Sequence, residues 1–509
     1  MEKTLENRNQ MKKFFTASVL NAFNVFLAVI LALVLSPYIL KATGDRLYGI
    51  FVLVSSLTGW FSLLDLGIGL SVSRFITLYH TRGDTEKCNQ VASSAFFLFL
   101  LIGMLCFVLS CLTIAGTWYF QPDMKDREIF NWVLFFFGLA FLVNFPTNVC
   151  EGIICGFLRH DINAARLIFF RLSGAVATFL AIWLGGKVIA LSIVNLVVNT
   201  INFAVVFYLA RRVFPEFMPS VRNLSRNLLG EMFRFGMPVF YSQLGETILT
   251  RSGMLIISIM ISIDAGTPYS LVIVSLAGYA PTLFTAVTDW QTNWFTQLSE
   301  KGNAEQFDRA RRTVYKTSVY LTAFVAFGYI FWGQQFITRW IGEKYLDIYP
   351  ALWITALGFW LTYGESRTNW RILLATARHT LFSRLVFIHA MLAVAIGIVL
   401  VGFGWGATGV VLGNVLPGFI IYNIIAAVYT CRVTGESVRG YYARILLSQV
   451  IASLCLVPAW FFSQYVTATY ISLFTVGALS LATYTILIYF FGMTKEERGG
   501  LRTEYRDAA

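Results

Sequence analysis

Apolar runs of about 20 residues, separated by short polar and often Lys/Arg-rich connections, recur from one end of the chain to the other. A run of that length lets a helix cross a hydrocarbon core of roughly 30 Å, where backbone polar groups must be satisfied internally. The pattern predicts fourteen spans, approximately 13–40, 47–73, 90–117, 129–155, 163–184, 188–210, 232–262, 268–297, 314–335, 349–373, 381–402, 405–430, 441–464 and 468–492. No connection is long enough for a separate soluble domain. The expected fold class is therefore all-α, a polytopic integral membrane protein.

Composition and charge add direction to this pattern. The chain is 57% hydrophobic and 13% charged, too few charges to wet soluble domains of 509 residues. Lys and Arg accumulate on cytoplasmic loops. The N-terminal tail, every second loop and the C-terminal tail hold 31 of the 39 basic residues, and the opposite loops hold seven: Lys41, Arg46, Lys125, Arg127, Lys187, Arg339 and Lys344. Arg251, deep inside span 7, is the one left over from both groups. Both termini are thus expected in the cytoplasm, which requires an even number of spans. The net charge of +12 has the same origin, because basic clusters such as "RARRTVYK" (Arg309 to Lys316) close spans and meet anionic headgroups rather than nucleic acid. The polar start "MEKTLENRNQMKKFF" resembles a signal peptide's charged region, but the following run continues to about Leu40 with no clear cleavage site and reads as a retained span. Seven cysteines, none in a C-x-x-C pair, read as buried free thiols.

The two halves of the chain match at an offset of about 219 residues. "FITLYHTRGDTEKCNQ" falls on "WFTQLSEKGNAEQFDR", Arg159 on Arg378, and Asn195 on Asn414. The second copy begins with the seventh span, which starts on the same side as the first. The repeat is therefore six plus six spans in parallel, with the last two added. The expected division is 1–230 (spans 1 to 6), 231–432 (spans 7 to 12) and 433–509 (two extra spans and a cytoplasmic tail), with the two pseudo-symmetric halves around a central cavity.

Three stretches carry a family resemblance: "YGIFVLVSSLTGWFSLLDLGIGLSVSRF" (Tyr48 to Phe75), "GDTEK" (Gly83 to Lys87) and "CEGIICGFLRHD" (Cys150 to Asp161). They resemble the Wzx-type oligosaccharide flippases, the polysaccharide transporter branch of the multidrug/oligosaccharidyl-lipid/polysaccharide exporter superfamily. The resemblance implies translocation of undecaprenyl-diphosphate-linked repeat units across a bacterial inner membrane by alternating access, for surface polysaccharides such as O-antigen or exopolysaccharide. The implied partners are that lipid-linked glycan, membrane lipids and a repeat-unit polymerase. No cofactor is implied beyond a coupling cation, H+ or Na+, and neither a catalytic residue nor a metal ligand is expected. Two alternatives share the architecture, a cation-coupled multidrug-type antiporter and a lipid II flippase. A membrane glycosyltransferase would need a long outer loop with catalytic carboxylates, and the longest here are about a dozen residues. "GWGATGVV" (Gly404 to Val411) lacks the Lys-Ser/Thr of a nucleotide-binding loop.

Charges inside spans are costly and usually face a cavity or a partner, so they are the candidate site. Arg251 is the foremost diphosphate candidate, since a guanidinium matches phosphate oxygens in bidentate geometry. Arg367 and Arg371, four residues apart near the cytoplasmic end of span 10, and Arg74, which ends span 2, are further headgroup candidates. Asp65, Glu151, Glu246, Asp289, Thr288, Thr292 and Glu365 are the polar cavity or coupling candidates. On an unbroken helix Ser62, Asp65, Gly69 and Ser73 share one face. Each charge has a structural alternative: Asp65 hydrogen-bonded within one half, Arg251 paired with an acid of a neighbouring span, Glu151 structural, Arg367 and Arg371 plain topological anchors.

Overall fold

A computed structural model describes residues 2–120, 126–288, 290–300, 304–376, 378, 380–467, 469–494 and 498. They are helical nearly throughout, and no strand occurs among them. Among the described residues, twelve helices are both long and apolar enough to cross a membrane. The two remaining expected spans are helical as well. Span 7 is one helix of 35 residues, Arg226–Met260. Span 10 runs through Tyr349–Gly358, a π-helical stretch Phe359–Tyr363, and Gly364–Ala375. Both are long enough to span, and they fall short in apolarity because they carry Glu246, Arg251, Glu365, Arg367 and Arg371. The two spans that fall short in apolarity thus hold most of the candidate charges.

The chain divides into two compact units, Met1–Thr267 and Pro268–Ala509. The division lies one span beyond the boundary read from the repeat, because span 7 packs within the first unit. The core of that unit gathers Ile68, Val72 and Ile76 of span 2, Val91 and Phe99 of span 3, Val149 and Ile153 of span 4, and Met232 of span 7. Aliphatic and aromatic faces in contact supply its packing, while residues such as Ile30, Val34 and Leu101 stay exposed on the faces where lipid replaces water.

Span 2 is broken. Helix Asp45–Phe61 tightens into a 3-10 turn, Ser62–Asp65, then Leu66 (φ 53°) and Gly67 (φ 73°) adopt left-handed backbone before helix Ile68–Thr81 begins. The face expected to join Asp65 to Gly69 and Ser73 is therefore lost, since helical spacing does not persist across two left-handed residues, and the Ser62 side chain lies outside the described residues. Asp65 has a local task at the break. Its Oδ1 accepts a hydrogen bond from the Gly69 N–H at 2.9 Å, satisfying a donor at the start of the second helix. Gly67 lies against Gly236 of span 7 so closely that a Cβ on Gly67 would be 2.5 Å from the Gly236 carbonyl oxygen. One turn on, Ser71 Oγ donates to the Met232 carbonyl at 3.0 Å.

At the other end of span 2, Arg46 reaches Asp126 at 2.6 Å and Asp264 at 3.7 Å, and Thr267 Oγ1 donates to the Asp45 carbonyl at 2.7 Å. One of the few basic residues on the sparsely basic side is thus committed to an ion pair. In the loop after span 2, the Asp84 carboxylate accepts from the Lys87 backbone N–H at 3.0 Å. That bond holds its carboxyl below the usual range and caps helix Thr85–Phe120.

The second unit is centred on helix Ala304–Trp340, whose Tyr315, Val319 and Ala323 share a core with Phe295, Tyr441, Ile445 and Tyr484. The last span is fastened there by two hydrogen bonds, Tyr484 Oη to the Tyr320 carbonyl at 2.9 Å and Tyr320 Oη to the Gly492 carbonyl at 3.2 Å. Four π-helical stretches interrupt this unit, Tyr269–Ala277, Phe359–Tyr363, Ile421–Ala426 and Ile488–Gly492. Such bulges change which residues share a face along a helix.

Candidate functional site

Helix Arg226–Met260 is started by Ser225, whose side chain accepts from the Leu228 N–H. About five turns in, it presents Gln243, Glu246, Thr247, Thr250 and Arg251 on one face, at the three- and four-residue spacing of a helical stripe. Gly59, Leu63 and Asp65 of span 2 stand opposite, and together the eight residues line an open cavity of ≈ 370 Å³ within the first unit.

Arg251 lies flat against Gly59. A Cβ on Gly59 would sit 2.8 Å from Arg251 Nε and 3.0 Å from Cζ, so glycine there makes the room that the guanidinium occupies. Among the described residues, no acid pairs with Arg251 and no acceptor takes a hydrogen bond from it. The two carboxyls of the cavity do not neutralise it. Asp65 bonds to the backbone of its own break, and Glu246 lies five residues before Arg251, off the helical pairing distance of three or four. The result is a cation at a polar wall, without a counter-ion among the described residues, in the middle of a span. Such an arrangement suits an anionic ligand with several acceptor oxygens.

The other candidates are dispersed. Glu151 is ion-paired with Arg166, a buried residue that also bonds to Asn202 and, at 2.8 Å, to Asn163. This cluster ties spans 4, 5 and 6 together. Arg74 is exposed and lies over the Phe235 ring at 4.0 Å. In the second unit, Arg371 is buried and donates to Thr288 Oγ1 at 2.7 Å and Gln291 Oε1 at 2.9 Å. Arg367, on the same helix, is half-buried over the Tyr363 ring. Glu365 is buried and accepts from Gln449 Nε2 of span 13 at 3.0 Å. Thr292 is half-buried in helix Trp290–Glu300, and Asp289 lies outside the described residues. The structure therefore brings together Asp65, Glu246 and Arg251. It adds Gly59 of span 2, which no spacing signals, and Gln243, Thr247 and Thr250 of span 7, which fall at helical spacing with Glu246 and Arg251 but are not set apart from other polar residues inside spans.

The Glu151 and Arg166 pair carries a stability expectation. Arg166→Ala leaves a carboxylate inside the bundle without its cation, a loss of about 3–5 kcal/mol for a buried pair, somewhat less here because Glu151 is partly exposed. The double variant Glu151→Ala/Arg166→Ala should recover part of it. Thermal unfolding of the purified protein in detergent checks this, and additive losses would count against the pair as a unit.

The fold and the site define a multi-pass, all-α membrane protein with a polar cavity set among apolar spans. The family model described as "Polysaccharide biosynthesis protein" matches residues 17–280, slightly more than half of the chain, and the protein belongs to that family. It is 22% identical over 493 residues to the uncharacterized membrane protein EpsK of Bacillus subtilis (strain 168), covering 93% of this chain and 94% of that one. It is also 20% identical over 440 residues to the uncharacterized membrane protein MJ1068 of Methanocaldococcus jannaschii, with 83% and 84% covered. Among solved structures, an inward-facing multidrug resistance MATE transporter of the MOP superfamily superposes with a TM-score of 0.68 at 16% identity, over 81% of this chain and 94% of that one. A MOP superfamily transporter from Pyrococcus furiosus, described as having a binding pocket of reversed polarity, gives 0.62 at 15% identity, over 82% and 95%. The fold is that of the MOP superfamily transporters.

Proposed function

We propose that this protein translocates undecaprenyl-diphosphate-linked oligosaccharide repeat units from the cytoplasmic to the periplasmic leaflet of a bacterial inner membrane by alternating access. Both termini are cytoplasmic in this reading. The observation that carries it is Arg251, a guanidinium without a counter-ion among the described residues, in a polar cavity inside a span of a chain of the polysaccharide biosynthesis family. A diphosphate cannot cross hydrocarbon without replacement partners for its oxygens, and a forked donor in a polar cavity is such a partner. The sugars, rich in hydroxyls, meet the Gln243, Thr247 and Thr250 side chains of the same wall.

Deletion of the gene in its host should leave lipid-linked repeat units complete but confined to the inner leaflet, with surface polysaccharide lost and restored by the wild-type chain. Labelling of the glycan in right-side-out and inverted vesicles reads the leaflet directly. Undiminished surface polysaccharide in a strain without a second flippase would refute the proposal.

A further inference from the structure

Arg171 counts with the cytoplasmic basic residues by its place in the sequence, yet helix His160–Trp183 carries it to the middle of span 5. It is the twelfth of 24 residues, about 17 Å along the axis from the start of the helix. Two neighbouring spans place amides at the same depth. Asn24 lies near the middle of span 1, and its carbonyl accepts a hydrogen bond from Arg171 Nη1 at 3.1 Å. Asn199 is the twelfth residue of helix Val188–Val213, which runs antiparallel to span 5. Arg166 bonds to Asn202, and a Cβ on Gly174 would lie 3.8 Å from Val198 Cγ1, a register that brings Asn199 to the level of Arg171.

A guanidinium presents several N–H donors in a planar fork, and the Asn24 carbonyl takes one of them. Among the described residues no acid pairs with Arg171 and no second acceptor takes a hydrogen bond from it. Spans 1, 5 and 6 contain no Asp or Glu, and Glu151 of span 4 is taken by Arg166. Arg171 is half-buried, so its remaining donors are not sealed in packing, and hydrocarbon gives them no partner. Acceptors stand beside this fork. Asn24 is 5% exposed, and its Oδ1 has no hydrogen-bond partner among the described residues. Asn199 is half-buried and spends its Nδ2 on Asn195, at 2.9 Å to the carbonyl and 3.0 Å to Oδ1. A fork of donors with amide oxygens next to it is the complement of a sugar that carries an oxyanion, the anion on the guanidinium and the hydroxyls on the amides. From this we infer that Arg171, with Asn24 and Asn199, forms a second oxyanion site in the first unit, and that it takes an anionic group of the cargo, a phosphate or a sugar carboxylate. The inference rests on the reading of the protein as a carrier of a lipid-linked glycan.

The test uses the purified full-length protein in liposomes with two probes, a short-chain polyprenyl diphosphate bearing a neutral hexose and the matched probe bearing a hexuronic acid. Periodate, added outside, oxidises sugar diols in the exposed leaflet, and the rate at which protected probe becomes oxidised measures translocation. Arg171→Gln keeps a donor for the Asn24 carbonyl and removes the cation. It should slow translocation about tenfold or more, and the mole fraction of probe that gives the half-maximal rate should rise. Slowing of both probes assigns a phosphate to Arg171, and slowing of the uronic acid probe alone assigns the sugar carboxylate. Arg171→Lys, which keeps the charge without the fork, should retain more of the rate than Arg171→Gln. Wild-type rates for both probes in Arg171→Gln, with Arg251→Ala slow, would overturn the second site and leave the transport reading standing. So would an Arg171→Gln protein that is slower at an unchanged half-maximal mole fraction, or one that no longer runs as a monodisperse peak in detergent, since either makes the guanidinium a tie between spans 1 and 5. Translocation of neither probe by the wild-type protein above protein-free liposomes would overturn the transport reading and this inference with it.

Discussion

Arg251→Ala is expected to reduce repeat-unit export by ten- to a hundredfold at equal protein level in the membrane, and Arg251→Lys to reduce it by less. Hydrogen bonds to charged partners contribute about 1.5–3 kcal/mol, and each 1.4 kcal/mol is tenfold in an equilibrium constant. Lysine keeps the charge and loses the fork that grips two oxygens at once, so it should recover part of the activity. A second variant separates charge from placement. Gly59→Leu retains the cation, but its side chain would enter the space where Arg251 Nε lies 2.8 Å from a Cβ, so export should fall although Arg251 is intact. Surface polysaccharide relative to the amount of protein in the membrane reads both. Wild-type export by Arg251→Ala would take Arg251 out of the site.

The second large effect is structural. Gly67→Val should lose most of the folded protein, because two penalties coincide at that residue. Its backbone is left-handed at φ 73°, a conformation that costs an L side chain roughly 1–2 kcal/mol, more for a β-branched one. Its Cβ would also lie 2.5 Å from the Gly236 carbonyl oxygen, a contact with backbone that no rotamer change relieves. Gly236→Val should do the same from the other side, its Cβ lying 2.7 Å from the Leu66 carbonyl oxygen. Gly83→Asn is the control, left-handed at φ 72° but with nothing within 4 Å, and it should be tolerated. Size-exclusion profiles of fluorescently tagged variants in detergent distinguish these outcomes, and a monodisperse Gly67→Val protein at wild-type yield would contradict the close packing.

Helix content and the many-span architecture were legible because apolar length is a property of each run by itself. Spans 7 and 10 were legible too, as runs that tolerate charge. What periodicity could not supply was the break in span 2, since a stripe of side chains assumes an unbroken helix and "DLG" looks like one more polar interruption. Nor could it supply partners from distant spans. Glu151 meets Arg166, Thr288 meets Arg371, and Glu365 meets Gln449, and these pairings are decided by packing between helices rather than by spacing along one. Arg251 was identifiable because it was the one basic residue that topology did not explain. Its neighbours Thr247 and Thr250 were not, because a threonine inside a span is common and ordinarily bonds back to its own helix.

The seam between Gly67 and Gly236 also bears on how the protein is made. Read from the sequence, span 7 would open the second copy of the repeat, yet it lies against the break of span 2. A ribosome that has delivered only the first six spans has therefore delivered a bundle whose interrupted helix still lacks its neighbour. The first assembly intermediate that can close is seven spans long. Nascent chains stalled after span 7 should resist protease where chains stalled after span 6 do not, and the natural unit of insertion would then be offset from the unit of duplication.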